Sequence, residues 1–419
     1  MNERLEPQAW MTAPATRRVF AALEARGGPD CARFVGGCVR DAVLGRPVGD
    51  LDIATILTPE ESTAALQAAG VRVVPTGVDH GTVTAVANHQ PFEITTLRRD
   101  VETDGRRAVV AFTTDWAEDA ERRDFRLNAL YAAPDGRLFD PTGAGLQDAR
   151  AGRIVFVGDP RVRIREDYLR ILRFFRFYAW FGRGDPDAAG LQACRELKDR
   201  LQGLAAERVQ KELLKLLAAD DPRPAMRMMQ ASGVLEVILP SARELGRLEA
   251  LVEIERTVLA ENEAELRLAA LLPPDPARAR AAAEALRLSN AQRDRLEAAA
   301  GGEFELSAVM TAQQARRAIY RLGRQAFRDR VKLAWASAPS AEGATLWRAL
   351  LELADGWSPP DFPLGGQDVM RLGLARGPAV GGVLREVEDW WIEADFPADE
   401  TVLRRRLETA VEKVRGAGA

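Results

Sequence analysis

Residues 34–54 read Phe34-Val35-Gly36-Gly37-Cys38-Val39-Arg40-Asp41, then Ala42-Val43-Leu44-Gly45-Arg46-Pro47, then Val48-Gly49-Asp50-Leu51-Asp52-Ile53-Ala54. This order predicts a short apolar strand, a Gly-Gly turn, an amphipathic helix and a second strand. Side chains at i and i+2 of a strand share a face, so Asp50 and Asp52 project together while Leu51 and Ile53 face the other way. Two hard oxygen ligands on one face suit Mg²⁺. A Gly-Gly turn entering a helix suits a phosphate, because unpaired N–H groups and the helix dipole both favour an anion there. A D-x-D alone also occurs as a polar strand end. The turn and Arg40 upstream favour the metal reading, since two-metal nucleotidyl transfer needs close carboxylates to hold Mg²⁺ between an attacking hydroxyl and a triphosphate.

At 419 residues the chain exceeds one ordinary core, and two to four packed units are expected. The composition is globular, with 47% hydrophobic and 29% charged residues and a formal net charge of only -4. Any nucleic-acid contact must therefore come from a local basic patch. Cys31, Cys38 and Cys194 lack zinc spacing and fit a reduced cytoplasmic protein without disulfides. No apolar run approaches a membrane span, and the acidic start MNERLEPQAW is not expected to be a signal peptide. The two histidines, His80 and His89, form no His-Asp pair, which argues against a histidine-based metallophosphatase domain and fits ordinary loop or strand positions.

Along the chain, residues 6–28 read as a helix stopped by Gly27-Gly28. Thr58-Pro59-Glu60-Glu61 reads as a capped helix start. Residues 71–75, 82–87 and 92–97 are short and β-branched, and read as strands of one sheet. Glu93 alternates with Phe92 and Ile94 and is either a third metal ligand or a solvated strand residue. Residues 98–120 read as a long polar loop with a hairpin inside it, and Pro134-Asp135-Gly136 as a hairpin turn. After Ile154-Val155-Phe156-Val157-Gly158 strand-like runs nearly vanish, and separate helical patterns run from 160–181, through 311–321 and 324–337, to 399–415. The fold class is therefore α+β: a mixed N-terminal third and an all-helical remainder.

Three further motifs carry chemistry. Arg122-Arg123-Asp124 precedes the apolar Leu127, Ala129 and Leu130, and is either a phosphate or ribose contact or a helix start with solvated charges. Asp167, Arg170, Arg173 and Arg176 recur every third residue amid Leu169, Ile171, Leu172, Phe174, Phe175 and Phe177, a slowly turning polar stripe on a helix. An Asp and an Arg one turn apart can present an acceptor and donors to a base edge; the plainer reading is an intrahelical salt-bridge ladder. Arg317, Arg321, Arg324 and Arg328 would line one face of a continuous helix, as a phosphate-backbone contact or a solvated face. The cluster Arg404-Arg405-Arg406 reads either way too.

The segments FVGGCVRDAVLGRPVGDLDIA, RRDFRLNAL and EDYLRILRFFRF, in this order, resemble the class II tRNA nucleotidyltransferases, the CCA-adding enzymes and their poly(A) polymerase relatives. DVETDGRRAVVAFTTDWAEDAERRD resembles the form shared by proteobacterial and mitochondrial CCA-adding enzymes. The resemblance implies a polymerase-β-like head over residues 1–145, a helical neck over 146–220 and a helical, tRNA-binding body and tail over 221–419. It implies Asp50 and Asp52 as catalytic Mg²⁺ ligands, with Gly37, Arg40 and Arg123 on the incoming nucleotide. Asp167 and Arg170 would pair with the base of CTP or ATP, and Arg173 and Arg176 would support that site. The 98–120 segment resembles the loop tied to the switch from C to A addition, which favours full CCA addition over CC-only or poly(A) synthesis. A retired scaffold that only binds RNA is disfavoured by the intact aspartates. One departure is Arg126-Leu127, where the family usually has Thr-Ile; Arg126 brings an added charge near the nucleotide site.

Overall fold

The structure, a computed structural model, describes residues 3–77, 81–104, 107–302, 304–397 and 399–417. His80 lies outside them. The chain forms two compact units, Met1–Ala242 and Arg243–Ala419.

The first unit opens with α1 (Ala9–Thr12) and α2 (Pro14–Gly27), so the single helix expected over 6–28 is broken at Ala13, ahead of Pro14. Then come β1 (Ala32–Val35), α3 (Gly37–Val43), β2 (Asp52–Thr55) and α4 (Pro59–Ala68). The expected start of α4 forms as a full capping box: Thr58 Oγ1 accepts from the Glu61 N–H and the Glu61 carboxylate from the Thr58 N–H, each at 3.2 Å. Strands β3 (Arg72–Gly77), β4 (Thr82–Ala87) and β5 (Gln90–Thr96) follow, with exposed His89 in the turn between β4 and β5 at φ 63. The 98–120 segment forms a separate hairpin, β6 (Arg98–Asp104) and β7 (Arg107–Phe112), and then α5 (Trp116–Glu121). Strands β8 (Tyr131–Ala132) and β9 (Leu138–Phe139) form the expected hairpin around Gly136.

The main sheet has seven strands in the order β3-β4-β5-β2-β1-β8-β9. Its β2–β5 pair is parallel and its other pairs are antiparallel. Phe34, Ile53, Phe92, Ile94 and Tyr131 are essentially inaccessible to solvent. Phe34 packs between Trp10 and Phe20, with ring centroids 4.7 and 4.6 Å away. The Ile154–Gly158 run is no strand; Phe156 makes one isolated bridge, to Phe125, and stacks on Phe174. Helices complete the unit: α6 (Gly145–Ala151), α7 (Pro160–Glu166), α8 (Leu169–Phe181), α9 (Ala188–Leu197), α10 (Ala206–Leu217), α11 (Arg223–Ala231) and α12 (Val234–Ile238).

The second unit is helical from α13 (Gly246–Ile254) to its last helix (Glu400–Ala417). The arginine stripe expected over 316–332 is interrupted there. One helix ends at Leu322 and the next starts at Arg324, because Gly323 takes φ 80, a conformation glycine adopts without strain. Its arginines are also committed within the unit: Arg317 to Glu393, Arg321 to Asp389, Arg324 to the Trp357 carbonyl, and Arg328 to Glu261 and Asp355.

Replacing Phe34 by Ala removes a fully buried ring from between two aromatic neighbours, and should destabilise the protein by about 3–5 kcal/mol in urea denaturation.

Candidate active site

Strand β2 begins at Asp52, and the parallel register sets Asp52 directly beside Glu93 of β5, with Ile53 beside Ile94. Asp50 precedes the strand on an exposed bend, while Leu51 and Ile53 are buried, so the expected alternation holds on either side of Asp52. Burial, then the negative charges of Glu93 and Asp50, push the Asp52 carboxyl up to about 6 against the pull of Arg123. Glu93, left open by its sequence context, thus stands next to Asp52. This excess of negative charge on hard oxygens is the donor chemistry a divalent cation relieves. Among the described residues no three such groups close into a finished cage. A cation here would take its other ligands from phosphates and water, as Mg²⁺ commonly does.

Above β1 the chain turns at Gly36, whose φ of 72 and ψ of -122 suit glycine. A Cβ at Gly36 would lie 3.6 Å from the Arg123 guanidinium, and one at Gly37 would lie 3.8 Å from that of Arg40. The turn is thus flanked by two cations. Arg123 is held in place from behind: it donates to Asp119 Oδ2 through Nε and Nη2 at 3.2 and 2.9 Å, and its Nε reaches Tyr131 Oη at 3.3 Å. Tyr131 Oη donates to the same carboxylate oxygen at 2.7 Å. Burial disfavours the Arg123 charge, but Tyr131 and Asp119 outweigh it and raise its pKa.

Arg40 has a different setting. Its Nε and Nη2 donate to Asp41 at 2.9 and 3.0 Å and its Nη1 donates to Asn128 Oδ1 at 2.8 Å. Its guanidinium lies 4.1 Å from the centroid of the Phe181 ring. The Arg40–Asp41 pair weighed as a surface feature does form, but with Arg40 buried, and burial lowers the Arg40 pKa against the opposing pull of Asp41.

The 160–181 stretch is two helices rather than the continuous one its spacing predicts. The backbone extends at Asp167 (φ -153, ψ 105), and Asp167 Oδ1 accepts from the Leu169 N–H at 3.1 Å, which starts α8 afresh. Asp167 Oδ2 accepts from Arg208 of α10 at 2.7 Å. Arg170 donates to Glu166 at 2.5 Å, to the Arg163 carbonyl at 2.8 Å and to the Arg122 carbonyl at 3.1 Å. Arg173 donates to Asp124 at 2.8 and 2.5 Å, and Arg176 forms an ion pair with Glu212 of α10 at 2.6 Å. Asp167 and Arg170 therefore lie close in the chain but bind different partners. The plainer intrahelical ladder does not account for the stripe: Glu166 and Arg170 pair across the break between α7 and α8, and the stripe is a bracket joining α8 to α7, to α10 and to residues 122–124.

Arg126 turns to Asp148 of α6, with Nη1 3.6 Å from Oδ2, while Arg153 holds the other oxygen of that buried carboxylate at 2.9 Å. Its charge is thus matched locally. Four residues that sequence reading did not single out support the site: Asp119, Asp124, Asn128 and Glu212. Asp124 stood within a noted motif, and its four-residue spacing to Asn128 was a readable signal. Asp119 and Glu212 sit in ordinary helical sequence and carried none.

Asp119 gives a pH test. Burial raises its pKa, but Arg123, Arg122 and Tyr131 outweigh this and hold it at about 2, below the ordinary 3.8. A carboxyl depressed on folding contributes stability above its unfolded pKa and loses it as pH falls through the folded value. Asp119→Asn should therefore be less stable than wild type by roughly 2 kcal/mol at pH 7. That gap should close as pH falls from about 4 towards 2 in denaturant titrations.

The sequence matches the Poly A polymerase head domain family over residues 32–155 and a family described as a probable RNA and SrmB binding site of polymerase A over 186–245. The zebrafish (Danio rerio) mitochondrial CCA tRNA nucleotidyltransferase 1 is 33% identical over 402 residues, covering 90% of this chain and 86% of that protein. A CCA-adding enzyme of Streptococcus gordonii is 38% identical over 226 residues, covering 54% of this chain and 55% of that one. In fold, the chain is similar to the Bacillus stearothermophilus CCA-adding enzyme in complex with CTP, with a TM-score of 0.74, 24% identity and coverage of 97% of this chain and 100% of that one. The Thermotoga maritima CCA-adding enzyme complexed with tRNA gives a TM-score of 0.67 at 18% identity, covering 97% and 99%. A relative above 30% identity along nearly the whole length, with matching head and RNA-binding segments, places this chain in the CCA tRNA nucleotidyltransferase family.

Proposed function

We propose that this chain is a nucleotidyltransferase that adds C, C and A to the 3′ end of tRNA from CTP and ATP, releasing pyrophosphate without a nucleic-acid template. The observation that carries the reading is the carboxylate group of Asp52, Glu93 and Asp50 set against Arg123 at the Gly36 turn. Residues 1–145 are assigned as the head, 146–220 as the neck and 221–419 as the body and tail; the family match over 32–155 supports the head, while the match over 186–245 spans the boundary between neck and body.

The family uses a divalent cation, and Mg²⁺ fits the donor set of Asp50 and Asp52. Asp50 and Asp52 would hold Mg²⁺, which when bound would lower the pKa of the attacking 3′-hydroxyl and neutralise charge on the triphosphate. The open Gly36-Gly37 backbone and the fixed Arg123 guanidinium receive the phosphates and sugar, and Arg40 closes the same wall. The 3′-hydroxyl of tRNA attacks the α-phosphate of the nucleotide in line, and the bond to the pyrophosphate oxygen breaks. Asp167 and Arg170 read the base edge by exchanging their present partners, Arg208 and Glu166, for donors and acceptors on cytosine or adenine. Arg173 and Arg176, tied to Asp124 and Glu212, hold that helix in place. The β6–β7 hairpin supports full CCA addition. The three cysteines are free and buried, and none of the described helices is long and apolar enough to cross a membrane. A cytoplasmic place of action fits both facts.

Purified protein offered tRNA lacking its terminal nucleotides should incorporate CTP twice and ATP once, and neither UTP nor GTP. Long A tails on any RNA would instead indicate poly(A) synthesis, and arrest after two C residues a CC-adding enzyme. Asp52→Ala should abolish incorporation while tRNA binding survives in a filter-binding assay; retained incorporation would overturn the metal assignment. Arg170→Ala should relax discrimination between CTP or ATP and UTP. Unchanged selectivity would remove its base-reading role.

A further inference from the structure

One buried side chain, Asn128, joins the two halves of this site. It closes the short 3₁₀ turn Arg126–Asn128 and is 8% exposed. Its Oδ1 accepts from Arg40 Nη1 at 2.8 Å, and its Nδ2 donates to Asp124 Oδ1 at 3.0 Å. A guanidinium can only donate and a carboxylate can only accept, so the two neighbours force this orientation of the amide. Beyond Asp124 the path continues to Arg173 of α8, and Arg173 stands 3.9 Å from Glu212, the partner of Arg176. On the other side Arg40 lies one turn beyond Gly36 on α3 and accompanies Gly37 at the phosphate-facing turn. The backbone carbonyl oxygen of Asn128 would lie 3.8 Å from a Cβ on Gly36.

We propose that Asn128 is a positioning residue that couples the phosphate side of the nucleotide site, through Arg40, to the base-reading helix, through Asp124 and Arg173. This inference rests on the function proposed above. An amide suits the position because both of its neighbours are charged and oppositely demanding. Replacing it by Ala leaves a buried guanidinium nitrogen without its partner and takes from Asp124 Oδ1 one of its two donors, the Phe125 N–H remaining. Arg40 then keeps Asp41 and the Phe181 ring but no link to Asp124, Asp124 shifts towards Arg173, and the register between α3 and α8 is no longer fixed.

The test is steady-state incorporation of single nucleotides into tRNA by Asn128→Ala and Asn128→Asp. Asn128→Ala should raise KM for CTP and ATP about tenfold, the size expected for losing a hydrogen bond to a charged partner, and weaken discrimination against UTP. Asn128→Asp keeps the acceptor for Arg40 but sets a carboxylate against Asp124, so selectivity should fall more than KM rises. A merely structural role would lower the melting temperature and the active fraction. It would scale kcat alike for every nucleotide while KM and selectivity stay at wild-type values, and that result overturns the proposal. If Asn128→Ala does not fold, Asn128→Ser is measured in its place with the same two outcomes. Wild-type protein in the same assay separates the two readings. If it adds neither C nor A, the proposed function fails. If it adds both and the variants match it in KM and selectivity, only the coupling fails.

Discussion

The parallel pairing of β2 with β5 is the constraint on which the site depends. It places Asp52 beside Glu93, two carboxylates that repel each other, and burial already disfavours the charge on Asp52. The sheet bears this because Ile53, Ile94 and Phe92, on the face opposite the two acids, are all inaccessible. A one-residue slip of β5 would turn Phe92 and Ile94 outward and Glu93 inward. Packing thus enforces an electrostatic arrangement that would otherwise separate. The concentration of negative charge is the property a cation-dependent transferase needs at its reacting centre.

Around that centre the charges are arranged in pairs and short chains. Burying an ion is costly unless a partner and further hydrogen bonds offset its lost hydration, and such networks serve geometry better than stability. Arg123 is such a case: one carboxylate and one phenol hold it from behind, and the free edge of its guanidinium faces the turn. Arg173 and Arg176 do the same for α8 against Asp124 and Glu212. Cations prepared in this way meet an incoming phosphate or base without first being ordered, which is where much of the strength of a preorganised site lies.

The strand–turn–helix–strand core and its aspartates were legible because they depend on local rules: period-two alternation, glycine at positive φ, and a capping box at Thr58. The hairpin within 98–120 was legible for the same reason. The break at Asp167 was not, since a spacing of three suits one helix or two, and a single side-chain oxygen binding the Leu169 N–H decides between them. The split at Gly323 was legible as well, since the helical patterns over 311–321 and 324–337 stop on either side of it, although the arginine spacing alone would suit one continuous helix. Partner choice was the least readable feature. Arg170 binds Glu166 and Arg208 binds Asp167, although the sequence suggests Asp167 and Arg170 as companions, because pairing depends on how α8 and α10 meet in space.

Arg126 carries a warning for any attempt to edit this protein towards its family consensus. The small residue usual at that position would remove a counter-ion from Asp148, whose Oδ2 is buried and has no hydrogen-bond donor. Arg153 would then face that carboxylate alone. The departure and its compensation sit on different segments, α6 and the turn after Phe125, so a substitution that looks like a repair in an alignment would act here as a lesion. Consensus design succeeds where positions are independent, and this pair is not.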